Sequence, residues 1–258
     1  MTPRHIVFDI DGTLVSWRGG AHVPDETRTA LRLLRERGHV TAIATGRGAF
    51  LARGVAEELG IEHMICAGGA HVLISGETVH MAWLPDGALG PFLELSREHP
   101  RITAAMDDRH VYTANDDAGW AAYLEGQAGG PCIRPLAEMR RALVCYLMVA
   151  PPLSGAWGMF SSPPDGVMID PMHGFVEARA VGTSKWAGIQ ILAGRLGLST
   201  DDVVTFGDGA NDVGMLEEAP MSVAPAGASE GAKRAAKIIC PDIDEGGILW
   251  ACRELGLV

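Results

Sequence analysis

Residues 5–14 read HIVFDIDGTL, and this stretch is the strongest single indication of the fold. Its first six residues form a short apolar run of the kind found in the buried strands of parallel sheets. Polar residues occupy the end of the run and the positions after it, at Asp9, Asp11, Gly12 and Thr13. Because open parallel sheets bind ligands at the carboxyl ends of their strands, the stretch predicts a buried strand with a site at its end.

Predicted helices and strands alternate after this stretch and again near the carboxyl terminus. Residues 24–37 and 48–59 have the apolar spacing of helices, and each pattern stops at a glycine. Short apolar runs at 40–44 and 64–67 predict the second and third strands. The alternation predicts an α/β fold with a doubly wound, Rossmann-like parallel sheet covered by helices on both faces. Near the far end, helices are predicted at 185–196, 211–218, from 228 and at 245–255, and strands at 203–207, 221–224 and 238–240.

The middle of the chain has a different character, because residues 80–180 are rich in proline and glycine. Two of its short apolar runs flank residues 107–109 and predict an antiparallel hairpin. We therefore expect a core built from residues 1–80 and 179–258, with an inserted α+β domain at 81–178. The strands predicted in the insert are 102–106, 110–113, 143–149, 167–169 and 175–178.

Charge and composition exclude several classes of partner. The formal net charge is −11, so the surface repels nucleic acid and anionic lipid, and we expect neither as a partner. No apolar run is long enough to span a membrane, and the amino terminus lacks a secretory h-region. The five cysteines form no metal-binding or disulfide pattern, which is typical of a reduced, cytoplasmic compartment. We expect a monomer or weak homodimer that acts on a small molecule.

Asp9 and Asp11 are the first candidate functional residues. In an extended segment, residues two apart point to the same face, which would make the two carboxylates neighbours. Adjacent carboxylates resist joint ionisation unless a cation lies between them. The pair therefore indicates either a metal site or a nucleophile beside a general acid, although aspartate and glycine are also common in simple turns.

The second candidate cluster is GDGAND, residues 207–212, which follows the predicted strand at 203–207. Asp208 and Asp212 can both turn toward one point there, and such oxygen ligands suit Mg²⁺. A polar turn that caps the next helix is the alternative. Dinucleotide binding fits poorly, because the third glycine of that motif is missing.

Two further segments suggest anion binding. Thr45 and Gly46 follow a predicted strand and precede a helix, where a hydroxyl and free N–H groups can hold phosphate. Lys185 stands at the start of a predicted helix, where the helix dipole disfavours a cation. This placement indicates a bound anion, although a solvated surface lysine is the common alternative.

Together, FDIDGTL, ATGR, the lysine of GTSK and GDGANDVGML resemble the four motifs of the haloacid dehalogenase-like hydrolases, most closely the Cof-type phosphatases. The similarity covers roughly residues 1–80 and 175–258. Too few residues separate Asp9 from Thr45 for an inserted domain, whereas the interval from Thr45 to Lys185 accommodates the larger, type IIB cap. One departure is Gly68, which stands where relatives usually have asparagine.

The resemblance implies a Mg²⁺-dependent phosphomonoesterase. Asp9 would attack phosphorus and form an aspartyl-phosphate, and Asp11 would act as general acid and then as general base. The implied metal ligands are Asp9, the Asp11 main-chain carbonyl and Asp208, with Asp212 as a further or outer ligand. The implied phosphate-binding residues are Thr45, Gly46, Lys185 and Asn211.

Other functions remain open from the residues alone. A phosphomutase or phosphotransferase could use the same intermediate, and a regulatory module phosphorylated on Asp9 is a non-catalytic alternative. The general acid at Asp11 argues against dehalogenation, which has no alkoxide to protonate. Sugar phosphates are the default substrates by analogy. The side chains that could touch a substrate are Arg47, His71, Arg109 and Trp120.

Overall fold

The structure is a computed structural model, and it describes residues 4–90, 103–113, 118–148, 163–172 and 175–258. The described strands form an eight-stranded sheet and a six-stranded sheet. The strands are β1 (His5–Phe8), β2 (Val40–Ala44), β3 (His63–Cys66), β4 (His71–Ile74), β5 (Glu77–Met81), β6 (Thr103–Met106), β7 (Val111–Thr113), β8 (Ile133–Pro135), β9 (Val144–Met148), β10 (Val167–Met172), β11 (Phe175–Ala180), β12 (Val203–Phe206), β13 (Met221–Pro225) and β14 (Ile238–Cys240).

Seven α-helices have both ends within these residues, and the last of them follows β14. They are α1 (Asp25–Glu36), α2 (Ala49–Leu59), α3 (Ala118–Ala128), α4 (Lys185–Leu196), α5 (Val213–Glu218), α6 (Glu230–Ala235) and α7 (Gly247–Glu254). Short 3₁₀ turns occur at Ala67–Gly69, Leu136–Glu138, Thr200–Asp202, Ala210–Asp212 and Ile243–Glu245. Among these helices, none is long and apolar enough to cross a lipid bilayer.

The larger sheet has the strand order β14-β13-β12-β1-β2-β3-β4-β5. All pairs from β14 to β3 are parallel, and β1 lies between β2 and β12, with His5 opposite both Val40 and Val203. The predicted doubly wound parallel sheet is confirmed. Because the chain direction is shared, the carboxyl ends of β1, β2 and β12 meet at one edge.

The far edge of this sheet differs from the prediction, since β4 and β5 run antiparallel. They form a hairpin whose two turn residues, Ser75 and Gly76, both have positive φ, at 49° and 82°. Such turns match the right-handed twist of the flanking strands. The sequence analysis placed no strand at residues 71–81, so this hairpin is an antiparallel addition to the predicted parallel sheet.

Helices cover both faces of the sheet, as the alternation of β1 requires. Ile6 and Phe8 pack into one cluster with Leu31 of α1 and residues of α7, whereas Val7 packs on the opposite face with Leu192 of α4. Phe8 also stacks on Phe206 of β12, with ring centroids 4.7 Å apart. The apolar run that predicts the fold thus supplies side chains to two separate layers.

The smaller sheet lies between the two halves of the larger one in sequence. Its order is β10-β11-β9-β6-β7-β8, and all of its pairs are antiparallel except β7 with β8. The predicted β6–β7 hairpin is confirmed, and Asp107 Oδ1 accepts the N–H groups of Arg109 and His110 in its turn. Residues 102 and 149, where two predicted strands begin or end, lie outside the described residues.

An apolar cluster joins the two sheets. Helix α3, which the sequence analysis did not predict, packs against α2 of the larger unit. The buried members of this cluster are Leu51, Ala67, Ala70, Ala104, Met106, Val111, Cys132 and Leu143.

Candidate active site

The loop after β1 places the first two aspartates. Asp9 N donates to Phe206 O at 2.9 Å and so extends the pairing with β12 by one residue. The chain then turns, because Ile10 O accepts the N–H groups of both Leu14 and Val15, at 2.9 and 2.8 Å. Asp11 therefore lies in a turn, and the extended geometry assumed for residues 9–11 is wrong.

Gly12 allows this turn to pass against the second acidic segment. Its φ is +84°, and a Cβ at this position would lie 2.3 Å from Asp208 Oδ2. Thr13 Oγ1 donates to Asp208 Oδ1 at 2.9 Å. The glycine and threonine of the DGT sequence thus bring the loop after β1 into direct contact with Asp208.

Asp212 organises the turn after β12. Its Oδ2 accepts the N–H groups of Asp208 and Gly209, at 3.0 and 2.8 Å. Its Oδ1 accepts a hydrogen bond from Lys185 Nζ at 2.6 Å. Both oxygens of this buried carboxylate are therefore bound by the protein itself.

Lys185, the first residue of α4, is buried and connects the acidic residues. Its Nζ donates to Asp9 Oδ1 at 2.7 Å as well as to Asp212, and its side chain is only 2% exposed. Burial opposes the ammonium charge, but Asp212 and Asp9 outweigh it and raise the pKa of Lys185. Lys185 is therefore not a solvated surface lysine, because it is buried and paired with the carboxylates of Asp9 and Asp212.

Three carboxylates converge in the described part of the chain. One oxygen each from Asp9, Asp208 and Asp212 lie within 4.8 Å of one another, and the Asp11 carboxylate is not part of this group. Burial, followed by Asp212, raises the pKa of Asp9 well above its usual range. The same two causes raise the pKa of Asp208 to about 6. The single positive charge of Lys185 does not balance the charge of three carboxylates. Their hard oxygen donors fit a divalent cation such as Mg²⁺.

The predicted phosphate-binding residues lie at the same edge of the sheet. Thr45 follows β2, where its N–H donates to Ile65 O at 2.8 Å and its Oγ1 accepts the Arg47 N–H at 3.2 Å. Asn211 Nδ2 lies 3.8 Å from the point that a Cβ on Gly46 would occupy. The segments after β2 and β12 therefore meet beside Asp9.

Asp11 is bound by a group of residues that the sequence analysis did not connect. Arg47 Nε donates to Asp11 Oδ2 at 2.8 Å, its Nη2 donates to Oδ1 at 2.5 Å, and Trp17 Nε1 donates to Oδ1 at 3.2 Å. Arg47 Nη1 also donates to Gln127 Oε1 at the end of α3, and the Trp17 ring lies 6.2 Å from that of Tyr123. The contacts join the two sheets, so local sequence could not reveal them.

His71 and Arg109, two of the other substrate-contact candidates, have no such contact among the described residues. His71 is buried, with its Nε2 2.8 Å from Thr78 Oγ1. Arg109 is 79% exposed and lies 3.5 Å from Asp108. The side chain of Trp120 lies outside what the structure describes. Of the four, only Arg47 contacts a proposed catalytic group among the described residues.

Comparisons with known proteins find relatives over most of the chain. The phosphoglycolate phosphatase of Aeropyrum pernix is 30% identical over 92% of this chain and 86% of its own length. The 5-amino-6-(5-phospho-D-ribitylamino)uracil phosphatase YcsE of Bacillus subtilis is 24% identical over 96% of this chain and 94% of its own. The structure of the subclass IIB sugar phosphatase BT4131 has the same fold, with a TM-score of 0.85, 23% identity and coverage of 99% and 100% of the two chains.

A family model for haloacid dehalogenase-like hydrolases matches residues 6–129 and 163–251. This match covers most of the chain, and the named relatives of similar length are phosphatases. The recognition made from the four motifs is confirmed. The chain belongs to the haloacid dehalogenase-like hydrolases of the Cof type and is a phosphatase that hydrolyses phosphoric monoesters.

Proposed function

We propose that the protein hydrolyses a small phosphomonoester in a Mg²⁺-dependent reaction through an aspartyl-phosphate on Asp9. The observation that carries this proposal is the position of Asp9. It is buried at the carboxyl end of β1, hydrogen-bonded to Lys185 and grouped with Asp208 and Asp212.

Asp9 supplies the nucleophile. Lys185 binds Oδ1, so we assign the attack to Oδ2. This oxygen forms a bond to phosphorus while the bond from phosphorus to the ester oxygen breaks, and Asp11 gives its proton to the departing alkoxide. In the second half, Asp11 takes a proton from water as the water oxygen attacks phosphorus. The bond between phosphorus and Asp9 Oδ2 breaks, which releases inorganic phosphate and regenerates the Asp9 carboxylate.

The acidic residues provide a place for the cation. Mg²⁺ would be held by the carboxylates of Asp9 and Asp208 and by the main-chain carbonyl of Asp11, with Asp212 beside them. A bound Mg²⁺ would neutralise charge on the phosphoryl group in the transition state. Because both oxygens of Asp212 already accept hydrogen bonds from Lys185 and main-chain N–H groups, we assign it chiefly to holding Lys185 and the turn.

The remaining residues of this edge would bind and orient the phosphoryl group. Thr45, Gly46 and Lys185 would donate to its oxygens, and Asn211 would help to orient it. Arg47 has a different assignment, because it forms a two-point salt bridge with Asp11. This bridge orients Asp11 as a carboxylate, so Arg47 must release it before Asp11 can carry the proton for the leaving group. The Asp11 side chain is 39% exposed.

The substrate that we propose is a small phosphate ester, with sugar phosphates as the leading class. The relatives include phosphatases named for phosphoglycolate and for a phosphoribityl compound, and both substrates are small phosphomonoesters. We assign leaving-group contacts to the inserted segment 81–178, because α3 already reaches Arg47 through Gln127. Steady-state assays of a panel of phosphate esters with Mg²⁺ would identify the preferred member.

Replacement of Asp9 tests the proposal most simply. Asp9→Asn is nearly isosteric, but an amide is a poor nucleophile, so we expect hydrolysis to fall by at least about 10³-fold. The variant should keep its fold, which circular dichroism and thermal unfolding would show. Asp201→Asn is a suitable control, since Asp201 is exposed before β12 and should be dispensable. A folded Asp9→Asn protein with more than a few per cent of wild-type activity would contradict covalent catalysis by Asp9.

A further inference from the structure

Arg179, on strand β11 of the smaller sheet, is a buried arginine that reaches the core. Its Nη1 donates to Gly68 O at 3.1 Å and to Thr183 O at 2.7 Å, and its side chain is 9% exposed. One guanidinium nitrogen therefore holds two main-chain carbonyls that are far apart in sequence. None of the proposed catalytic steps uses this residue.

The rest of the guanidinium is held by the smaller sheet. Arg179 Nη2 donates to Asp170 on β10, and Nε lies 3.5 Å from Glu177 Oε2 on the same strand as Arg179. Asp170 and Glu177 are cross-strand partners, so the two carboxylates flank the arginine from one sheet. A charged group paired and hydrogen-bonded in this way stays in one orientation.

Both carbonyls that Arg179 binds belong to segments that continue into the phosphate site. Gly68 N donates to Thr45 O at 3.1 Å, and Ala67 N donates to Arg47 O at 2.8 Å, so the turn at 67–69 supports the loop after β2. Thr183 lies two residues before Lys185. Arg179 thus links the turn that supports the Thr45 loop to the segment before Lys185.

Gly68 makes this arrangement possible. Its φ is +61°, and a Cβ there would lie 2.9 Å from Arg179 Cδ and 3.3 Å from Nε. Asparagine tolerates this backbone conformation, so strain alone does not require glycine. The space does, because the arginine side chain fills the volume that a side chain at 68 would need.

We propose that Arg179 is a positioning residue that couples strand β11 of the smaller sheet to Thr45 and Lys185, and that Gly68 is glycine because Arg179 occupies its side-chain space. This inference rests on the proposed roles of Thr45 and Lys185 in holding the phosphoryl group. Loss of Arg179 would let the two segments shift relative to each other. Shifts of about 1 Å can cost up to about 10²-fold in rate even when binding is kept.

A double-mutant cycle in the full chain tests the proposal. Arg179→Ala and Gly68→Asn should each lower kcat about tenfold or more, with KM changed less than about threefold. In the double variant, the introduced asparagine side chain no longer meets an arginine, so we expect its loss of kcat to be at least about fivefold smaller than the product of the single losses. Gly76→Asn is the matched control, because Gly76 also has positive φ, at +82°, but has open space around it.

The outcomes separate this inference from the proposed function. Multiplicative losses in the cycle, or a folded Arg179→Ala protein with wild-type kcat, would overturn it. If Arg179→Ala does not fold, Arg179→Val replaces it in the cycle, because valine suits a β-strand and also lacks the Cδ that a side chain at position 68 would meet. Thermal unfolding of the same four proteins measures the coupling independently of activity. Folded Asp9→Asn protein that kept its activity would refute the proposed function. If the unfolding midpoints of the four proteins were non-additive at the same time, the coupling between Gly68 and Arg179 would still stand.

Discussion

At the scale of single residues, burial and neighbouring charges determine which side chains of the site are protonated. Asp9 and Lys185 are only 5% and 3% exposed, and each is stabilised in its position by the other. The lysine remains charged because two carboxylates outweigh its desolvation. The three carboxylates of Asp9, Asp208 and Asp212, in contrast, outnumber the single ammonium group of Lys185. Their protonation therefore depends on whether a metal cation is bound.

The pH dependence of Mg²⁺ binding follows from this excess of carboxylates. Burial and Asp212 raise the pKa of Asp208 to about 6, so Asp208 holds a proton below that pH and must release it to bind a cation. We expect deprotonation of Asp208 to raise the affinity for Mg²⁺ about fivefold between pH 5 and 6 and to have little further effect above about pH 7. Titration calorimetry in buffers of different ionisation enthalpy would measure both the affinity and the released protons.

The metal-free protein should show the opposite trend in stability. A carboxyl whose pKa is higher in the folded state than its ordinary 3.8 binds more protons when folded, so its contribution to the free energy of unfolding falls as pH rises from about 4 to 6. Asp208→Asn should weaken both effects and leave the share that comes from Asp9, whereas the exposed Asp201→Asn should keep them in full. Mg²⁺ affinity that is constant from pH 5 to 7 would be inconsistent with this account.

Sequence could predict the residues that lie within motifs, but not those that act across the two sheets. Asp9, Asp208 and Lys185 each follow or begin an element that the apolar pattern identifies. Arg47 was recognised only as a possible substrate contact, because its partners include Gln127 on a helix of the other unit. Trp17 gave no local signal, since its contact with Asp11 depends on the turn after β1.

At the scale of elements, strong local signals predicted boundaries well and weak ones did not. Helix α4 begins at Lys185 and ends before Gly197, which has φ +68°, as predicted. Helix α3 was not predicted, because AGWAAYLEGQA has no clear apolar period. The β4–β5 hairpin was also absent from the prediction, although Ser75-Gly76 is a turn dipeptide that could have indicated it.

The N-cap of α4 links element stability to the site. Ser184 Oγ accepts the Ala187 N–H at 3.0 Å, directly before Lys185. Ser184→Ala should lower the free energy of unfolding by about 1 kcal/mol. It should also lower kcat, because the first turn of α4 holds the lysine. Urea unfolding and steady-state kinetics would measure the two effects.

A second helix cap provides the matched control. Ser229 Oγ accepts the Ala232 N–H at 3.3 Å at the start of α6, which carries none of the proposed catalytic side chains. Ser229→Ala should cost similar stability and leave kcat unchanged. Equal effects of the two substitutions on kcat would show that the cap of α4 does not position Lys185.

At the scale of the whole molecule, the two sheets are joined by both apolar and polar contacts. The apolar cluster contains Leu51 and Ala70 from the larger unit and Met106 and Leu143 from the smaller one. The Arg47–Gln127 hydrogen bond and the Arg179 contacts lie on the polar side of the same junction. We therefore expect the proposed substrate contacts of the inserted segment to affect Asp11 through Arg47 and Lys185 through Arg179.

The most direct test of the central claim is to locate the covalent phosphate. In Asp11→Asn, p-nitrophenyl phosphate should still phosphorylate Asp9, because its leaving group needs little protonation, whereas hydrolysis of the intermediate should slow without a general base. We expect a burst of p-nitrophenolate equal to the enzyme concentration, and acid quenching followed by borohydride reduction should convert residue 9 to homoserine. Steady release without a burst and an unmodified Asp9, or reduction at a different residue, would contradict the account.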